Sequence, residues 1–102
     1  MINTVDGLRP GQLVCSLKGR DQGNFYLIKG LEGERFLLLV DSFKHSLANP
    51  KRKNVKHVKI FMLIATEIEE ALAAEKLITD SRVAIALKRL QNELQEGDRF
   101  HG

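Results

Sequence analysis

The 102-residue sequence predicts an α+β domain. A small five-stranded β-barrel occupies residues 1–63, and an αα-hairpin over 64–102 is laid against it, the two forming one structural unit. Three observations predict this. The first 60 residues are short apolar runs cut by turn residues, as in small barrels. Beyond Thr66 the apolar spacing lengthens to that of an α-helix. A composition of 43% hydrophobic and 28% charged residues suits one modest globular core.

The strands are expected in order. Residues 12–18 (QLVCSLK) form the first, and 24–31 (NFYLIKGL) the second. Between them lies GRDQG, with a glycine at each end for positive φ and an aspartate to bond nearby backbone. Glu32-Gly33 reads as a two-residue hairpin turn into a third strand at 34–41. The unbroken apolar run from Phe36 to Val40 suggests cover on both faces. A short fourth strand is expected within 42–50, ended by Asn49-Pro50, and a fifth at 55–63.

The helices follow. Thr66 and Glu69 have the spacing of a capping box, with Ile64, Ile68, Ala71 and Leu72 on one face. Asp80 is the expected cap of a second helix carrying Val83, Leu87, Leu90 and Leu94, and Gly97 its expected stop.

The net charge of +3 hides an asymmetry. Residues 1–60 hold eleven lysines and arginines against five carboxylates, a balance of +6; the remainder is −3. The segment 49–61 (NPKRKNVKHVKIF) carries about +5 without an acid. Such a run is often only a solvated loop. Here its apparent strand character would hold the charges rigidly, and a rigid basic surface suits a polyanion.

The motifs Gly11, Val14, Ser16 and Gly19-Arg20-Asp21-x-Gly23, the third strand ending in Asp41, and the run Asn49 to His57 together resemble a known pattern. Over residues 9–60 the chain looks like the KOW-type barrel. It most resembles the bacterial KOW-domain RNA-binding proteins, relatives of the fourteen-e family of large-subunit ribosomal proteins. It departs from the commoner loop pattern at Gly23-Asn24-Phe25-Tyr26. The resemblance implies an SH3-like barrel that binds structured RNA, in or near the ribosome, with a role in translation.

The expected RNA-binding residues are Lys18, Arg20, Lys44, His45, Lys51, Arg52, Lys53, Lys56, His57 and Lys59, converging on one side of the scaffold. Gly19, Asp21 and Gly23 would shape the loop. Phe25, Tyr26, Phe36, Phe43 and Phe61 are stacking candidates, Tyr26 and Phe43 foremost, although aromatic residues on strands mostly belong to cores.

Other classes find little support. No nucleophile-plus-base set, phosphate-loop lysine motif or dinucleotide fingerprint is present, so no enzyme is expected. Cys15, His45 and His57 lack metal-ligand spacing, so neither metal nor cofactor is expected. A lone cysteine makes no internal disulfide. The opening MINTVDGLRPG shows no signal peptide, and the longest apolar run, IFMLIA, is too short for a membrane span. The expected location is the cytoplasm. The expected partners are RNA, ribosomal RNA first, and ribosomal proteins, with no membrane and no small-molecule substrate. The alternative is a protein-interaction adaptor that uses the barrel or the acidic helical hairpin.

Overall fold

The computed structural model describes residues 3–101. Five antiparallel strands form one sheet: β1 (Gln12–Ser16), β2 (Phe25–Glu32), β3 (Phe36–Val40), β4 (Lys51–Asn54) and β5 (Val58–Ile64), in the order β4-β3-β2-β1-β5. Two helices follow, α1 (Thr66–Ala73) and α2 (Asp80–His101).

The outer strands β4 and β5 are joined only by one turn of 3₁₀-helix, Val55–His57. In a flat sheet they would stand roughly 19 Å apart. Four Cα steps reach about 15 Å at most, and a 3₁₀ turn reaches less. The sheet must therefore curl until its edges approach at this end.

Strand alternation supplies two cores. Val14, Tyr26, Ile28, Leu37, Leu39 and Val58 point to the inner face, where Val5 and Val55 join them. Leu13, Leu27 and Val40 point outward and are covered by Ala65, Ile68, Val83, Ala86, Leu87 and Leu90. The helical face of Val83, Leu87 and Leu90 is thus buried as its spacing predicts, with Leu94 packed at the margin. Cover of β3 on both faces is incomplete, because Phe36 and Leu38 stay half-exposed.

Several boundaries differ from the sequence expectation. Glu32 pairs with Phe36, so the β2–β3 loop has three residues, Gly33, Glu34 and Arg35. The carbonyls of Glu34 and Arg35 accept from Val5 and Val55, which holds the longer loop in place. No strand lies in 42–50; the fourth strand is the basic run itself, paired with β3 from Phe36↔Asn54 to Leu39↔Lys51. Lys56 lies on the 3₁₀ turn, not on a strand, because the Asn54 side chain accepts from the Lys56 amide and starts that turn.

The helix starts also differ. Ala65, not Thr66, is the N-cap of α1, and no side chain bonds there. The Ala65 amide donates to Gly11 O at 2.8 Å, and its carbonyl accepts from Ile68 and Glu69. Glu69 turns away to grip Arg9, whose Nε donates to it at 2.7 Å. Gly11 permits this junction: it sits at φ 86°, and a Cβ there would lie 2.6 Å from Ala65 O. Thr79 caps α2 by accepting from the Arg82 amide at 3.3 Å. Asp80 instead accepts from the Leu47 amide at 2.8 Å, while Lys29 donates to Leu47 O at 2.7 Å. The α2 helix passes Gly97 without stopping, since glycine weakens a helix without forbidding it.

Candidate nucleic-acid interface

Loop 17–24 leaves β1 and returns into β2. Gly19 and Gly23 hold φ values of 93° and 90°, the left-handed geometry this turn requires. The loop is closed by Gly23 N donating to Ser16 O and Ser16 N donating to Asn24 O. Inside it sits Asp21. Its Oδ1 accepts from Ser16 Oγ at 2.9 Å and Lys53 Nζ at 2.8 Å, and its Oδ2 accepts from Tyr26 Oη at 2.7 Å. Burial alone would raise this carboxyl. The bonds from Lys53, Tyr26 and Ser16 and the Lys53 charge outweigh it and hold Asp21 well below the usual carboxylate range. Burial and the bond to that carboxylate push the Tyr26 phenol up.

The basic strand β4 alternates like any strand. Lys51 and Lys53 point toward Asp21; Arg52 points the other way. Lys53 is only 9% exposed, and its ammonium is also bonded to Lys18 O. It is bound within the loop and is not a free surface cation. Arg52 pairs with Glu32 and lies 3.5 Å over the Phe36 ring. The run KRK therefore does not present three charges to one side.

The remaining expected residues, Lys59 apart, gather around loop 17–24 in two groups. Arg20, Lys44, His45 and Lys51 line a cleft of about 160 Å³ with Asp21, Asn24 and Tyr26. Lys51 Nζ is 3.8 Å from Asp21 Oδ2, too long for a strong bond, so its charge still faces the cleft. On the other flank are Lys18, Lys56 and His57. Partial burial, then the charges of Lys18, Lys56 and Lys53, lower the His57 imidazole. The Leu17 amide donates to His57 O and ties this group to the loop. Lys18, Arg20, Lys44 and Lys56 are exposed. Lys59 is exposed too but stands on the outer face of β5, 5.2 Å from the Phe61 ring.

Beside the cleft lies an open groove of about 430 Å³, lined by Gly23, Asn24, Phe25, Asp41, Phe43, Lys44 and Gln91. Asn24 and Lys44 belong to both. Phe43 is 90% exposed. Its loop is nonetheless firmly built: Asp41 Oδ1 accepts from the amides of Phe43, Lys44 and His45 at 2.8–3.0 Å. Among the expected stacking residues, Tyr26 is fully buried, Phe36 is covered by Arg52, and Phe25 and Phe61 face each other at 5.8 Å. Of these five, Phe43 is the one left open to a ligand.

The chain matches no protein-family model and no curated protein.

Among the described residues, no group of three His, Cys, Asp or Glu side chains could hold a metal ion. No helix among them is long and apolar enough to cross a membrane. Sequence motifs mark neither Asn24 nor Gln91. The place of Gln91 depends on how α2 crosses β2, which local pattern does not encode. The inward turn of Lys53 was accessible in principle, because KRKN read as a strand places Lys51 and Lys53 on one side and Arg52 on the other.

Proposed function

We propose that this chain is a non-catalytic RNA-binding module that grips structured RNA, ribosomal RNA first, by its phosphate backbone. The observation that carries the proposal is the cleft in which Arg20, Lys44 and Lys51 line one small cavity beside His45. The only carboxylate in its lining, Asp21, is already engaged by Lys53, Tyr26 and Ser16. Lys18 and Lys56 extend the positive field past the loop. Cations fixed by a stiff scaffold lose little entropy when they meet phosphate.

The strand order, the single 3₁₀ turn between the outer strands and the apolar inner face support reading the curled sheet as an SH3-like barrel of KOW type. The cytoplasm, where ribosomes work, is the location that this function requires.

The test is a titration of fluorescent structured RNA with the wild type and with a variant carrying Arg20→Glu, Lys44→Glu and Lys56→Glu. These side chains are exposed, so the fold should survive. Loss of binding supports the proposal; unchanged affinity in the folded variant refutes it. A second reading, a protein-interaction adaptor, has one observation behind it: Leu77 and Ile85 are 97% and 67% exposed on the helical half. Ribonuclease treatment of a purified complex separates the two readings, since an adaptor keeps its partner and an RNA binder loses it.

A further inference from the structure

The groove beside the cationic cleft says more about the RNA. An exposed aromatic ring on a flexible loop would be unremarkable. Phe43 differs because three backbone amides bonded to one Asp41 oxygen fix the loop that carries it. The neighbouring turn is closed by Asp41 N and Ser42 N, both donating to His45 O, with Ser42 at a φ of 65°. The loop accepts a strained backbone and leaves a large apolar ring in water. The next residue, Lys44, lines both the groove and the cleft. A cation for phosphate and a flat π-surface are therefore offered by adjacent residues. Gln91 and Asn24 add amide groups to the same groove, and such groups can bond the edge of a base.

A base paired within an A-form duplex cannot use this surface, because its faces are stacked and its edges lie in the grooves. An unpaired nucleotide can. We infer that Phe43 stacks an unpaired base of the bound RNA while the adjoining phosphate sits in the cleft of Arg20, Lys44 and Lys51. The preferred ligand is then RNA with a single-stranded or bulged nucleotide, not uniform duplex. This rests on the RNA-binding reading above.

The experiment compares a short oligouridylate with a fully paired RNA duplex of equal phosphate number. Wild type, Phe43→Leu and Phe43→Trp are titrated at one salt concentration. Leucine keeps the apolar bulk and removes the π-face; tryptophan keeps the face. The expected result is a loss of about tenfold in oligouridylate affinity for Phe43→Leu, the size of one stacked base, with duplex affinity unchanged and Phe43→Trp restored. Fluorescence of 2-aminopurine placed in the oligonucleotide should change on binding to wild type and not to Phe43→Leu. If wild type binds both RNAs and Phe43→Leu binds them equally well, the stacking inference is overturned while RNA binding stands. If wild type binds neither, both fall.

Discussion

Lys53 Nζ lies 2.8 Å from Asp21 Oδ1, and both side chains are nearly out of water, at 9% and 11% exposure. A residue that sequence places in a basic run is the internal counter-ion of a loop aspartate. Lys53→Ala would leave that carboxylate with only Lys51, 3.8 Å away, in place of its close ion partner. A loss of about 3 kcal/mol in unfolding free energy is expected, read from urea denaturation. A drop no larger than that of an exposed lysine would mean that the pair does not hold the loop.

The same pair sets a pH dependence. Asp21 is held below its ordinary value, so the folded state binds fewer protons there than the unfolded state does. Its contribution is complete above about pH 4 and is lost progressively as pH falls below that. Asp21→Asn should therefore flatten the acid limb of the stability profile. Tyr26 acts in the opposite sense: its raised phenol contributes stability below about pH 10 that is lost as pH rises further. Tyr26→Phe should flatten the alkaline limb.

Gly11 is where the sheet meets α1. Gly11→Ala combines a left-handed backbone with a Cβ only 2.6 Å from the Ala65 carbonyl oxygen. A cost of about 2 kcal/mol or more is expected, visible as a lowered midpoint in a thermal melt. Gly23→Ala shares the positive φ but meets nothing within 4 Å, so it should cost less.

RNA binding should be salt-dependent in proportion to the cations engaged. With Lys18, Arg20, Lys44, Lys51 and Lys56 on phosphates, log affinity should fall against log salt with a slope of about −3.5 on single strands. Lys44→Ala should reduce that slope by about 0.7. Arg52→Ala should leave it unchanged, because Arg52 faces Glu32 and Phe36 on the other side of β4.

The helix start at Thr79 gives a smaller effect. Thr79→Ala should cost about 1 kcal/mol through the lost cap. Asp80→Ala should instead act on the loop, speeding hydrogen exchange at the Leu47 amide that Asp80 now holds.

What could be read in the sequence was what repeats locally. The spacing of Val83, Leu87 and Leu90 marked the buried face of α2, and the runs at β1, β2 and β3 announced three strands. The segment around Asp41 misled because its amides are satisfied by one carboxylate oxygen, which looks like neither strand nor helix in a string of letters. Thr66 and Asp80 both had the composition of caps. Contacts distant in sequence, Gly11 to Ala65 and Leu47 to Asp80, assigned the helix starts otherwise. The site was half legible. Charge density was visible, but which charges are spent internally depended on Asp21, thirty-two residues from Lys53 along the chain.

Leu47 donates to a helix residue through its amide and accepts from a strand lysine through its carbonyl, so the backbone of one residue bridges the two halves. Leu13, Leu27 and Val40 take the buried part of their roof from the segment that runs from Ala65 to Leu90. Trimming the chain at residue 64 would strip that roof and invite clumping. Anyone borrowing this scaffold has to carry the helices along.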